Sequence, residues 1–163
     1  EVVPGISSGY AAPAYAGIPV THRGITTEMA FVTGHEDPTK PESDIDWEHL
    51  AKGVGTVCFF MGIKNLPNIV ENMTKNGRPT STPVALIRWG TTSRQQVLVG
   101  TLADIAEKAA AAKFEKLLAD QVCIPHHNGI CSALYTRSNG QCCPAGLVFR
   151  LPAAGHLVDT NNA

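Results

Sequence analysis

The chain has 163 residues, 44% of them hydrophobic and 17% charged, with 13 Lys+Arg against 14 Asp+Glu. That is enough apolar side chain for one packed domain, so wholesale disorder is excluded. A formal charge of −1 with no clustered Lys/Arg excludes a broad electrostatic nucleic-acid surface.

Val2 to Thr21 is uncharged, but Pro4, Pro13, Pro19, Gly5, Gly9 and Gly17 interrupt it. It is therefore neither a lipid-facing helix nor, lacking a basic leader, a signal peptide. Within it, Ser7 to Gly17 is Ala-rich, and Ser7 or Ser8 can cap a helix there. Ala30 to Thr33 is a short apolar run ending at Gly34, and Glu36 to Ile45 is a polar loop. Asp46 to Ala51 has a capping Asp46, with Trp47, Leu50 and Ala51 on one face of a short helix. Thr56 to Met61, β-branched and aromatic between Gly55 and Gly62, is a buried strand. Leu66 to Asn76 is a helix with Ile69, Val70 and Met73 at helical spacing and Gly77 as its stop.

Pro83 to Trp89 and Gln95 to Val99 are two further strands, ending at Gly90 and Gly100. Thr101 then opens a long helix reaching Asp120, with Asp104 as its capping partner. From Gln121 the pattern changes to turn residues without a period. Leu147 to Leu151 is one possible strand there, and the last residues are loose. The expected division is thus 1–120 as a domain and 121–163 as a divergent tail. Strands alternating with helices specify an α/β fold of three layers around a mixed, mostly parallel sheet. Such sheets hold ligands beyond the carboxyl ends of their strands. Here those ends are Gly34-His35, Met61-Gly62 and Gly90-Thr91.

Five cysteines, four of them after residue 120, do not make a disulfide framework and point to a reducing, cytoplasmic setting. Cys123, His126, His127, Cys131, Cys142 and Cys143 match no standard zinc spacing, so no metal site is expected. Cys58 reads as an inert buried thiol and the two tryptophans as core. Gly5-Ile6-Ser7-Ser8-Gly9 matches a nucleophile elbow, with Asp104 and His126, His127 or His156 downstream in the order of a serine hydrolase, although that fold needs several strands before the elbow.

Four ordered blocks carry a resemblance: Val2 to Arg23 (VVPGISSGYAAPAYAGIPVTHR), Phe31 to His35 (FVTGH) followed by DWEHLA, Thr56 to Gly77 (TVCFFMGIKNLPNIVENMTKNG), and Thr82 to Ala109 (TPVALIRWGTTSRQQVLVGTLADIAEKA). Together they resemble the C-terminal part of the uroporphyrinogen-III C-methyltransferases of the tetrapyrrole methylase family. The resemblance implies two α/β domains in the complete enzyme, of which this chain looks like the second. It implies S-adenosyl-L-methionine in the cleft between them and two methyl transfers to uroporphyrinogen III, giving precorrin-2 for sirohaem and cobalamin. Another precorrin methyltransferase is the nearest alternative.

By the same resemblance, Ser7 and Ser8 lie near the methionine part of the cofactor, Met61 packs on the adenosine, and Gly90 lets the backbone approach the adenine. Arg23, Arg88 and Arg94 are candidate partners for the substrate's carboxylates, and His35 for the substrate. The complete enzyme is expected to be a homodimer. No catalytic proton acceptor is identified. The family's Gly-rich GxGxGDP-type loop has no counterpart here, so the chain alone is expected to be inactive and its cleft face apolar. The family's Pro-led apolar strand, VVG and Arg-containing close are not matched after residue 120.

Overall fold

The computed structural model describes residues 1–34, 43–114, 121–125 and 158–159. Among them, four α-helices, α1 (Ser8–Tyr15), α2 (Trp47–Lys52), α3 (Leu66–Lys75) and α4 (Ile105–Ala111), accompany six strands. The strands are β1 (Met29–Thr33), β2 (Thr56–Phe60), β3 (Pro83–Arg88), β4 (Gln96–Thr101), β5 (Gln121–Pro125) and β6 (Val158–Asp159), in the sheet order β1-β2-β5-β3-β4-β6.

Side-chain alternation sorts the sheet into two faces. Val57, Phe59, Val84, Leu86, Leu98, Val122 and Ile124 pack under α2, α3 and α4 in the larger core. Cys58, Ala85, Ile87, Val97 and Cys123 face α1 through Ala12 and Ala16. The residues opposite α1 are mostly small, and α1 is itself rich in alanine, so helix and sheet approach closely. The three-layer α/β expectation is met, and no helix among the described residues is long and apolar enough to cross a membrane.

Two expectations need correction. The sheet is mixed, but its parallel share is smaller than expected. Among the described residues only β1 and β2 pair in parallel, while β5 runs antiparallel to both β2 and β3 and β4 antiparallel to β3. The short Trp89–Gln95 connection makes β3 and β4 a hairpin, and β5 fills the gap between two strands of the same direction. Likewise, the change of character at Gln121 is not a loss of structure at 121–125. Val122, Cys123 and Ile124 are fully buried at the sheet's centre. A three-residue apolar run between Gln121 and Pro125 carries too little periodicity to declare itself.

The remaining elements follow local chemistry. Ser7 caps α1 by accepting from Gly9 N, and Asp46 caps α2 by accepting from His49 N. Gly77, at φ 102°, ends α3. The helix expected from Thr101 starts later: Thr101 completes β4 and α4 covers Ile105–Ala111. The capping pair is half present, because Thr101 N donates to Asp104 Oδ1 at 2.6 Å. Residues 115–120, residues 35–42 with His35, and the positions His126, His127, Cys131, Cys142, Cys143, Leu147 to Leu151 and His156 lie outside the described residues.

Candidate functional site at the carboxyl ends of the strands

Because β5 is antiparallel to both β2 and β3, those two strands and β1 all point the same way. Gly34, Met61 and Gly90 therefore emerge at one end of the sheet. The loops after β1 and β2 are pressed together there. Gly34 N donates to the Phe60 carbonyl at 2.7 Å, and Asn65 Nδ2 donates to the Gly34 carbonyl at 3.2 Å. A Cβ on Gly34 would stand 2.7 Å from Gly62 Cα, so only glycine fits that approach.

The backbone is strained at this end. Among the described residues, non-glycine positive φ occurs at Met61 (55°), Trp89 (50°), Thr91 (67°) and Lys113 (49°). Met61 and Trp89 follow directly on β2 and β3, and Thr91 lies two residues beyond Trp89. Each costs roughly 1–2 kcal/mol against ordinary backbone, and such outliers gather where a ligand or switch is held. The left-handed turn throws Met61 out of the sheet, where it is 38% exposed.

Helix α1 crosses the same end on its own face. A Cβ on Gly90 would meet Ala12 Cβ at 2.4 Å, and one on Gly9 would meet the Phe31 ring at 2.2 Å. Phe31 in turn touches Phe60, with ring centroids 5.5 Å apart. Ser7 and Ser8 thus join Gly90 through α1, and join Met61 through Gly9, Phe31 and Phe60. Ser7 is half-buried and Ser8 exposed. Met61 and Gly90 have β5 between their strands, which sets them roughly 10 Å apart at two strand spacings.

Trp89 is a departure from expectation. It is half-buried rather than core, with Arg88 Cζ 4.4 Å and Arg94 Cζ 5.0 Å from its ring. Arg88 also lies over Phe114 at 4.7 Å and donates to Gln96, so much of its bonding capacity is engaged within the fold. Arg23 is exposed. Trp47 is core, stacked on Phe59. For the hydrolase alternative, Ser7 Oγ is occupied as a helix cap, and Asp104 binds Thr101 and Lys108. Burial alone would raise the Asp104 carboxyl, but Lys108 and the Thr101 N–H outweigh it and hold it below its ordinary 3.8.

Arg78 was invisible to sequence reasoning. It follows a helix stop like any surface arginine, yet it is 2% exposed. Its guanidinium donates to the carbonyls of Leu50, Ala51, Val54, Gly55 and Ile124 at 2.8–3.5 Å. Burial pushes it down from its ordinary value to about 10. It ties the end of α2 to β5 and is a structural clamp, since its partners among the described residues are all backbone oxygens. Among the described residues no group of three or more His, Cys, Asp or Glu could hold a metal ion.

A shallow groove of about 230 Å³ lies at the opposite end of the sheet, lined by Gly24, Glu28, Lys52 and Gly55 among others. It precedes β1 and β2 and lacks the strained strand ends. The fold and the glycine-lined strand ends define an α/β domain of the kind that holds a ligand across the carboxyl edge of its sheet. Residues 1–106 match the Tetrapyrrole (Corrin/Porphyrin) Methylases, and the chain belongs to that family.

It is 57% identical over 113 residues to the S-adenosyl-L-methionine-dependent uroporphyrinogen III methyltransferase of Methanosarcina barkeri, covering 69% of this chain and 44% of that protein. Its fold matches that of a cobalt precorrin-4 methyltransferase, with a TM-score of 0.67 at 21% identity over 77% of this chain and 51% of the other. It also matches the uroporphyrin-III C-methyltransferase of Thermus thermophilus complexed with S-adenosylhomocysteine, with a TM-score of 0.60 at 26% identity over 77% and 52% of the two chains. The chain thus spans about half the length of these relatives or less.

Proposed function

We propose that this chain supplies the second domain of an S-adenosyl-L-methionine-dependent uroporphyrinogen III methyltransferase, making precorrin-2 for sirohaem and cobalamin. The observation that carries the reading is the junction of Gly90 with capped α1 beside the left-handed Met61, at the single sheet end where β1, β2 and β3 terminate. Identity of 57% to the Methanosarcina enzyme supports the choice of substrate over other precorrins.

In this reading the cofactor spans the roughly 10 Å between Met61 and Gly90. The Met61 thioether packs on the adenosine, the backbone at Gly90 meets the adenine, and the Ser7 and Ser8 hydroxyls and N–H groups face the methionine part. The reaction is displacement of the sulfonium methyl by a pyrrole carbon, for which the protein supplies alignment and a fit to the departing charge. Val2, Val3, Ile6, Tyr10 and Phe31 are exposed apolar side chains, the kind of surface that a second domain would cover. A cytoplasmic homodimer is the working assembly.

The test joins this chain to the N-terminal portion of the Methanosarcina relative and follows labelled methyl transfer to uroporphyrinogen III. The joined protein turns over and the chain alone does not, because half a cleft cannot align two reactants. Equal rates from both would overturn the reading, as would methylation of a later precorrin in preference to uroporphyrinogen III.

A further inference from the structure

Cys58 on β2 and Cys123 on β5 face each other directly in the antiparallel register. Both are fully buried on the α1 face, and their sulfurs stand 3.7 Å apart although 65 residues separate them in sequence. Directly opposed strand residues have Cα atoms about 4.5–5.5 Å apart, inside the range of about 4.4–6.8 Å that a disulfide spans. Closing the bond needs a side-chain adjustment and no change of register. Neither sulfur belongs to the strand-end site.

We propose that Cys58 and Cys123 are a modification site, a cross-strand dithiol that a peroxide-class oxidant closes to a disulfide, stapling β5 to β2. One sulfur attacks the peroxide, the O–O bond breaks, and a sulfenic acid and one water form. The second sulfur displaces the hydroxyl, the S–S bond forms as S–O breaks, and a second water leaves. Two thiols are oxidised and one peroxide is reduced. A dithiol reductant reverses the step by exchange. Since both sulfurs are shielded, the oxidant enters when β5 opens locally, so closure is slow and quickens in sub-denaturing urea. This inference is independent of the methyltransferase reading.

The test uses the full chain with Cys131→Ser, Cys142→Ser and Cys143→Ser, so that only the pair remains. The protein is held in hydrogen peroxide with sub-denaturing urea, then quenched, unfolded, alkylated and digested for mass spectrometry. The expected product is a peptide pair joined through Cys58 and Cys123, lost on adding dithiothreitol and never formed in a further Cys123→Ser variant. The oxidised protein should melt roughly 5–15 °C higher, as expected for a bond closing so long a loop. Two alkylated thiols after treatment, or sulfinic acids without a cross-link, would overturn the proposal. So would a cross-linked protein that melts lower, because the bond would then have broken the native register.

Discussion

Replacing Gly90 by alanine should destabilise the chain through α1 rather than through the turn it follows. Gly90 is not among the residues with positive φ, so an alanine backbone is permitted. The added Cβ would stand 2.4 Å from Ala12 Cβ and 3.3 Å from Ala12 Cα. The nearest atoms belong to a helix backbone and its first side-chain carbon, so no flexible tip can move aside. Overpacking of this kind costs roughly 1–3 kcal/mol, a fall in melting temperature of about 2–12 °C for a domain of this size.

Ala12→Gly alone should cost about 1 kcal/mol by helix propensity. Gly90→Ala with Ala12→Gly removes the clash, so the double variant should recover about 1–3 kcal/mol relative to the sum of the singles. The assay is a double-mutant cycle by urea denaturation. Additive costs would refute the argument that the closeness of α1 to the β3 end is what requires glycine. If the proposed site is right, Gly90→Val in the chain joined to the N-terminal portion of the Methanosarcina relative should in addition weaken S-adenosylmethionine binding, and calorimetry showing unchanged affinity would count against the cofactor contact.

Met61→Gly should raise stability by about 1 kcal/mol in denaturation, because φ 55° costs glycine nothing, while lowering cofactor affinity in the two-domain enzyme. A stability loss would mean that Met61 contributes to packing and not to the site. Arg78→Met should cost about 3–5 kcal/mol by stranding buried carbonyls, and Arg78→Lys should recover little, since an ammonium cannot span five acceptors. A loss below about 1 kcal/mol by urea titration would refute the clamp. Asp104 has its folded value depressed, so its stabilisation is full above the unfolded value and is lost as pH falls through the folded one. Melting from pH 7 down to about pH 3 should fall more steeply for the wild type than for Asp104→Asn, modestly so because the carboxylate is 40% exposed. Parallel curves would remove the Thr101–Asp104–Lys108 group from the account.

The elements that sequence revealed were those with local signals. Asp46 and Ser7 mark helix starts by capping, Gly77 marks a stop by its positive φ, and the apolar runs at Thr56 and Pro83 are long enough to be strands. What stayed hidden depended on distant partners. Gln121–Pro125 becomes a strand because a gap between β2 and β3 accepts it. Arg78 becomes buried because five carbonyls from three segments converge on it. The strand-end positions were legible, since Gly34, Gly62 and Gly90 each close an apolar run. Their physical demands were less so. The glycine at 90 answers to Ala12 and the one at 34 to Gly62, contacts between segments that no local pattern encodes. Trp89 looked like core because nothing in its neighbourhood signals a left-handed backbone with two arginines against the ring.

The measurement that bears most directly on the proposed site is a crystal structure of the chain joined to the N-terminal portion of the Methanosarcina relative and soaked with S-adenosylhomocysteine. The account predicts the adenosine against Met61 and the backbone of Gly90, with the homocysteine part beside Ser7 and Ser8 at the start of α1. Ligand density at the opposite end of the sheet, in the groove between Glu28, Lys52 and Gly55, would contradict it, as would a ligand that leaves all four residues untouched.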